Sequence, residues 1–228
     1  MGLVSEKLLP RIPIIEVFPV IEDGTLPAKA AEGEPFPIRA TVFREGHDAF
    51  AAEAVLLRPG GGEYSRTRMV DIAPGLDRYE AWVAADVPGA WSFRVDSWSD
   101  PYATWRHDAT VKVGAGVDVE LMLEEGALLM ERAAEGTAYG NRLRDTSHSA
   151  QQRLSAGISS RVRLIFRDHP LRDLLDSSRV YPLDVARTMA LAGAWYEIFP
   201  RSAGAFQRPD GTWVSGTLAG AAKDLPRI

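Results

Sequence analysis

The sequence predicts a β-sandwich followed by a small helical bundle and, at its end, one strand-loop-helix unit. Three observations predict this order. Apolar residues alternate with period two from about residue 12 to 113, their spacing changes to three and four residues after Gly116, and a short alternation returns at 194–199. We therefore expect the sandwich in 1–115, the bundle in 116–192 and the last unit in 193–228.

The sandwich is predicted by seven short alternating segments that are separated by Gly, Pro or Asp turns. Phe36, Ile38, Ala40 and Val42 are the clearest case, because every second residue is apolar and one face can be buried. The predicted strands are Ile14–Val20, Phe36–Phe43, Ala52–Arg58, Thr67–Ile72, Tyr79–Ala84, Trp91–Trp98 and Ala103–Val113.

The bundle is predicted by helical spacing that begins with Val119, Met122 and Leu123, while Glu120 and Glu124 take the opposite face. Short loops between the helical segments predict antiparallel neighbours. The further predicted helices are Asn141–Ser155, Ile158–Asp168, Leu171–Ser177 and Pro182–Ala192, the last with proline near its first turn.

The final unit begins with an alternating apolar stretch that Pro200 ends. Gln207–Trp213 then contains Asp210-Gly211, which is typical of a hairpin tip, and Thr217–Leu225 forms a weak amphipathic helix. A strand, a loop and a helix in this order make one unit of an α/β fold, and one unit does not bury its own sheet face.

Composition excludes several classes of function. The 228 residues carry a net charge of −5 with acids and bases interleaved, so no nucleic-acid partner is predicted. The chain has no cysteine, which excludes disulfides and thiolate metal sites. It also has no run of about 18 apolar residues and no recognisable leader, so we expect a cytoplasmic protein without a membrane partner.

Motifs that carry chemistry are few. The four histidines, at 47, 107, 148 and 169, lie far apart without metal-ligand spacing, so no metal site is predicted. His107 would share a strand face with Trp105, which favours a partly buried imidazole. Gly60-Gly-Gly62 is not followed by Lys-Ser/Thr, and a Gly-x-Ser-x-Gly elbow is absent, so neither a phosphate loop nor a serine triad is predicted.

Two features are open to both a structural and a ligand-binding interpretation. Glu197 is an acid in an apolar strand and needs a partner, for which Arg201 is the candidate. Trp98 and Tyr102 would form an outward apolar platform for a sugar ring or another protein, unless they fill a core.

Several long stretches resemble one known family. They are "RIPIIEVFPVIEDGTLPAKA", "GEPFPIRATVFREGHDA", "WSDPYATWRHDATVKVGAGVDVELMLEEGALLMERAA" and "GAWYEIFPRS…GTWVSGT". They are similar to the amino-terminal part of the α-1,4-glucan:maltose-1-phosphate maltosyltransferases, a branch of the α-amylase superfamily. The similarity runs from about Arg11 to Leu225.

This resemblance implies an immunoglobulin- or fibronectin III-like sandwich, a helical bundle beside it, and then the start of a (β/α)₈ barrel. Trp195–Phe199 would be the first barrel strand, Pro200–Thr217 its loop and Leu218–Leu225 part of the first barrel helix. In this family the catalytic carboxylates come from later barrel strands. No position here matches them, so we expect a truncated chain that is inactive alone.

The resemblance also implies an activity for the complete enzyme. Maltosyl units pass from maltose 1-phosphate to the non-reducing end of α-1,4-glucan, with retention and release of phosphate, and neither a metal nor a cofactor is implied. The sandwich and bundle would form a homodimer. We expect Arg201, Ser202 and Glu197 to be neighbours of the substrate site. The alternative function is a free-standing α-glucan-binding module that uses Trp98 and Tyr102.

Overall fold

The computed structural model describes residues 10–193 and 195–228. The chain divides into two compact units between Arg187 and Thr188. In the described residues, the first unit contains two β-sheets and five α-helices, and the second contains a small hairpin and one short α-helix. The strands of the first unit are β1 Ile14–Phe18, β2 Ala28–Ala31, β3 Phe36–Val42, β4 Phe50–Leu57, β5 Glu63–Arg68, β6 Val70–Ala73, β7 Arg78–Val83, β8 Gly89–Ser99, β9 Asp173–Ser177 and β10 Tyr181–Ala186.

The two sheets of the first unit differ in strand direction. One is antiparallel with the order β1-β3-β7-β6, and the other has the order β2-β10-β8-β4-β5, with β9 pairing further along β8. Strand β10 runs parallel to β2 and antiparallel to β8. Strand β8 therefore has β4 along one edge and both β10 and β9 along the other.

The two sheets bury their inner faces in one shared apolar core, to which β3, β7, β4, β8 and β10 all contribute. Alternation decides which side chains enter it, since successive residues of a strand point to opposite faces. The alternation predicted for Phe36–Val42 is confirmed, as is that of Trp91, Phe93 and Val95.

The helices form a bundle between β8 and β9 in the chain. They are α1 Pro101–Ala115, α2 Val119–Glu131, α3 Thr137–Arg144, α4 Ala150–Gly157 and α5 Ser160–Asp168. Helix α1 follows β8 almost without a loop because Asp100 is its N-cap: its carboxylate accepts a hydrogen bond from the amide of Ala103 at 2.9 Å. Because β9 and β10 then pair with β8, the bundle is an insertion within the second sheet.

Trp105 of α1 lies at the centre of the bundle core. Its indole nitrogen donates a hydrogen bond to the carbonyl of Met122 in α2 at 2.6 Å. Two glycines make room for the ring: a β-carbon at Gly126 would lie 2.2 Å from Trp105 Cζ2, and one at Gly157 would lie 2.9 Å from Cη2. The backbones of α2 and α4 can thus pack directly against the indole, because Gly126 and Gly157 have no side chains.

The predicted strand at Ala103–Val113 is wrong, because these residues belong to α1. The apolar residues of this segment fit both the two-residue spacing of a strand and the three- to four-residue spacing of a helix. The side chains that are buried follow the helical spacing: they are Tyr102, Trp105, Ala109 and Val113. Asp100-Pro101 is a helix-start signal, with Asp100 as the N-cap and proline in the first turn. His107 is consequently exposed on α1, contrary to the expectation of a partly buried imidazole.

Two predicted helices are also wrong. Leu171–Ser177 contains β9, and Pro182–Ala192 contains most of β10, in which Tyr181, Leu183 and Val185 alternate into the sheet core. The predicted strand Thr67–Ile72 is two strands, β5 and β6, in different sheets, and Met69 is buried between them.

The remaining differences in this unit are smaller. Asn141–Ser155 contains parts of two helices, α3 and α4, rather than one helix. Strand β2 was not predicted.

The second unit is built from turns. A two-stranded hairpin of β11 Phe206–Gln207 and β12 Trp213–Val214 is followed by α6 Leu218–Ala222, and both confirm predicted elements. The predicted strand at 194–199 is not formed in residues 195–199, because a strand requires a paired neighbour, and Ala194 lies outside the described residues.

Substituting Gly126 tests the packing around Trp105. Gly126→Ala places a methyl group inside the indole, and we expect the free energy of unfolding to fall by about 1–3 kcal/mol through overpacking. Urea denaturation measures this change. The matched control is Gly114→Ala in α1, where a β-carbon meets nothing within 4 Å, and which we expect to stabilise the chain by about 0.4–1 kcal/mol. Equal effects of the two substitutions would contradict this packing.

Candidate functional site

The outer face of the second sheet holds Trp98, the first residue of the predicted aromatic platform. Its side chain points away from the sandwich core, as the alternation with Trp91 predicts, but it is 0% exposed. The guanidinium groups of Arg68 and Arg172 lie 4.9 and 5.0 Å from its ring. These two cations cover the indole by cation–π contact, so it has no free face for a sugar.

Tyr102, the second residue of that platform, is 5% exposed and belongs to the bundle core. Its ring stacks on Phe166 with centroids 4.1 Å apart, and its hydroxyl donates to the carbonyl of Gly157 at 3.1 Å. Burial raises the pKa of Tyr102 to about 12. The predicted platform is therefore wrong, because the chain becomes helical after Asp100 and carries Tyr102 into the bundle.

Two buried carboxylates occupy the same outer face. Asp96 is 1% exposed, and Glu53 lies beside it on the neighbouring strand. Asp96 accepts hydrogen bonds from Arg94 and Arg66, each at 2.8 Å. Glu53 accepts one from Arg172 at 2.8 Å. Each buried acid is thus paired with arginine, which is the condition for keeping charge inside a protein.

Opposing effects act on the pKa of Asp96. Burial raises it, but hydrogen bonds from Arg94, Ser177 and Arg66 favour the ionised form, and the net pKa lies below the ordinary value. Glu63 completes the network by accepting from Arg66 and Arg94, each at 2.7 Å, and these bonds lower its pKa as well. The lowered pKa values keep Asp96 and Glu63 ionised at neutral pH, so neither is suited to act as a general acid.

Arg201 and Ser202 lie in a turn of the second unit, and both side chains are exposed. The carbonyl of Phe199 accepts hydrogen bonds from the amides of Ser202 and Ala203, each at 2.9 Å. The turn is also tied to the residue after the hairpin, because the amide of Gly216 donates to the carbonyl of Arg201 at 2.8 Å. These hydrogen bonds fix the backbone conformation of the turn that contains Arg201 and Ser202.

Glycine is required at position 216, since a β-carbon there would lie 2.0 Å from the carbonyl oxygen of Ala203. Glu197 is exposed, and among the ion pairs of the described residues none joins it to Arg201. The expected partner for Glu197 is therefore wrong. A solvated carboxylate does not need one.

Large apolar side chains of the second unit are also exposed. Within the part of this unit that the structure describes, Ala221 alone is buried. The exposed aromatic residues are Trp195, Tyr196, Phe199, Phe206 and Trp213. Such a density of apolar surface is typical of a segment that is covered by further protein.

No group of three or more potential ligands capable of holding a metal ion occurs among residues 10–193 and 195–228. In the same residues, no helix has both the length and the apolar character needed to cross a bilayer. The carboxylate–arginine network was not predicted from the sequence, because its partners lie up to 119 residues apart in the chain.

The first unit is thus a sheet-and-helix region whose buried acids are engaged by arginines, and the second carries an open turn rich in aromatic residues. Sequence similarity to known proteins shows which family the chain belongs to. The sequence profile described as alpha-1,4-glucan:maltose-1-phosphate maltosyltransferase, domain N/S, matches residues 10–187. The chain belongs to this family.

Relatives of the same description are found in several bacteria. The chain is 48% identical to alpha-1,4-glucan:maltose-1-phosphate maltosyltransferase 1 of Streptomyces coelicolor, with 96% of this chain and 33% of the relative covered. It is 46% identical to the maltosyltransferase of Arcanobacterium haemolyticum, again with 96% of this chain and 33% of the relative covered. It is 37% identical to the maltosyltransferase of Mycobacterium tuberculosis, with 100% of this chain and 37% of the relative covered. The chain spans about a third of the length of these relatives.

Removing the charge of Asp96 tests the buried network. We expect Asp96→Asn to lower the free energy of unfolding at pH 7 by about 3 kcal/mol, because it leaves arginines without their buried partner. Asp86→Asn, which breaks the exposed pair with Arg58, is the control and should cost less than about 1 kcal/mol.

The pH dependence of the same variant gives a second test. Because the folded-state pKa of Asp96 lies below its unfolded value near 3.9, its contribution is complete above that value and is lost as pH falls through the folded pKa. The difference in unfolding free energy between the parent chain and Asp96→Asn should therefore narrow below about pH 4. A difference that stays constant down to pH 2 would contradict the assignment.

Proposed function

We propose that this chain is the amino-terminal accessory portion of a maltosyltransferase. The complete enzyme would transfer maltosyl from maltose 1-phosphate to the non-reducing end of α-1,4-glucan, with retention and release of phosphate. The observation that carries the proposal is the family match over 10–187, together with relatives of which the chain spans about a third. The two facing sheets of the first unit support an immunoglobulin- or fibronectin III-like assignment for the sandwich.

Residues 193–228 would be the beginning of a (β/α)₈ barrel in the complete enzyme. The exposed aromatic residues of this unit support this, since barrel strands and helices bury such side chains against their neighbours. Trp195–Phe199 would become a strand once a second barrel strand pairs with it. The turn after it, which carries Arg201 and Ser202, would then lie at the catalytic end of the barrel, with Glu197 inside the strand.

The chain alone would lack activity. Retaining glycosyl transfer requires two carboxylates about 5 Å apart, one as nucleophile and one as acid and base. The buried acids of the first unit, Asp96 and Glu53, do not suit either role, because they are enclosed and paired with arginine. A free-standing α-glucan-binding module is not favoured, since Trp98 and Tyr102 are both buried.

A phosphate-release assay tests this proposal. We expect the 228-residue chain, supplied with maltose 1-phosphate and a malto-oligosaccharide, to release no phosphate above the protein-free blank. The full-length Streptomyces coelicolor relative, assayed in parallel, controls for substrate quality. Sustained release by the chain that disappears in Glu197→Gln would contradict the proposal, because it would place the chemistry on a residue of this chain.

We further propose that the first unit forms a homodimer through the outer side of α2. Leu121 and Leu128 lie seven residues apart on this helix and are 55% and 52% exposed. Residues at this spacing share one helix face, so a second copy of the chain would cover both. Burial of two leucines from each copy supports association through apolar contact.

Sedimentation velocity over a wide concentration range tests this interface. We expect a dimer for the parent chain and a monomer for the Leu121→Glu/Leu128→Glu double variant, because two buried charges on each side oppose association. Leu76→Glu, at an exposed turn residue of the first sheet, is the matched control and should remain dimeric. A parent chain that is monomeric at all concentrations would overturn the proposal.

A further inference from the structure

Two depressions adjoin on the surface formed by α1 and α5, and Arg106 and Arg163 line both. We call this surface the arginine groove. One depression has a volume of about 220 Å³ and the other about 380 Å³. Each is well above the roughly 30 Å³ that one water molecule occupies in the liquid, so each has room for a small ligand. The acidic and basic residues that line them are Arg68, Asp100, Arg106, His107, Arg163 and Arg167.

The arginine groove carries excess positive charge. Asp100 is the one carboxylate in its lining, and both of its oxygens are already engaged: Oδ1 accepts from the amide of Ala103, and Oδ2 accepts from Arg68 at 3.1 Å. Arg167 pairs with Asp168 at 2.8 Å. Positive charge therefore remains where the two depressions adjoin, at Arg106 and Arg163.

Arg106 and Arg163 are the cations available to a ligand. Within the described residues, neither guanidinium forms an ion pair or a side-chain hydrogen bond. Each retains five N–H donors in a planar fork that suits oxyanions. The two residues belong to different helices, α1 and α5, whose packing through Tyr102 and Phe166 fixes the two backbones relative to each other.

The floor of the smaller depression strengthens this arrangement. It is lined by the stacked rings of Tyr102 and Phe166, which are apolar and buried. Charges interact more strongly beside such a surface than in open water. The Tyr102 hydroxyl responds to these charges: burial raises its pKa, and the nearby Arg106 and Arg163 oppose that rise.

We propose that the arginine groove binds a phosphate group, either as free phosphate or as the phosphate of a small sugar phosphate. A tetrahedral dianion presents several oxygens, so it can accept hydrogen bonds from both Arg106 and Arg163 at once, with charge assistance. This inference rests on the groove alone and does not depend on the function proposed above.

Isothermal titration calorimetry of the 228-residue chain tests the site. The probes are inorganic phosphate, maltose 1-phosphate and, as the neutral control, maltose, at matched low ionic strength set with chloride. We expect both phosphates to bind and maltose not to bind. Tighter binding of maltose 1-phosphate would identify a sugar phosphate as the ligand, and equal binding would identify the phosphate group alone. Absence of binding by both phosphates would overturn the proposal.

Variants assign the binding to the two arginines. We expect Arg106→Ala/Arg163→Ala to weaken phosphate binding at least about tenfold, which is the loss of a charge-assisted hydrogen bond. Arg161→Ala is the control. Arg161 lies on α5, as Arg163 does, but it pairs with Glu135 at 2.9 Å and does not line either depression. Unchanged affinity in the double variant, or equal loss in the control, would overturn the site.

Thermal unfolding followed by circular dichroism verifies that the variants fold. If the double alanine variant unfolds, Arg106→Lys/Arg163→Lys replaces it, because lysine keeps the charge but removes the planar donor fork. We expect that variant to bind phosphate more weakly than the parent chain. Binding as tight as that of the parent chain would contradict recognition through the guanidinium forks.

Discussion

Strand β8 is the element on which the first unit depends. It pairs with β4 along one edge and with β10 and β9 along the other, so it joins segments from both sides of the helical insertion. Its inward residues, among them Phe93, fill the core between the sheets, and its outward residues Asp96 and Trp98 fill a second buried layer. Asp100 then ends the strand and begins α1. One segment thus fixes the sheet, the outer layer and the direction of the bundle.

The outer layer shows how a sheet face can be buried without a second sheet. Arg66 and Arg94 lie opposite Val55 on the strands that flank β4, where long arginine side chains can shield an apolar residue while their charged ends meet acids. Arg172, which follows the bundle in the chain, contacts both Glu53 and Trp98. Each cation has an acid or an aromatic ring as its partner, so the face is closed by charge pairing rather than by apolar packing.

The sequence predicted elements well where one periodicity stood alone. β3 and α2 are examples, because their apolar residues fit a single period. Ala103–Val113 failed because its apolar residues fit both periods, and the cap at Asp100 decided between them. Pro182 favoured a helix start, yet Leu183 and its alternating neighbours belong to a strand whose partner precedes it by about 90 residues in the chain. Pairing at that distance is not encoded locally.

Candidate sites were also difficult to predict where they depend on residues that are distant in the chain. The outward direction of Trp98 followed from strand alternation, but its burial depends on Arg172, more than 70 residues later. Arg106 and Arg163 likewise lie on separate helices, and nothing local in the sequence indicates that they line one groove. The turn that contains Arg201 and Ser202 is held by hydrogen bonds between near neighbours and requires the glycine at 216, so it depends on local sequence.

Hydrogen–deuterium exchange of β10 tests the central claim most directly, because this strand closes the second sheet after the helical insertion. It lies between β2 and β8, so its amides should be paired along both edges. We expect the amides of residues 183–186 to exchange as slowly as those of residues 91–95 of β8, since both open only when the sheet unfolds. Exchange of the amides of 183–186 as fast as those of the exposed turn at 60–62 would contradict this, because it would show that β10 does not close the sheet after the helical insertion.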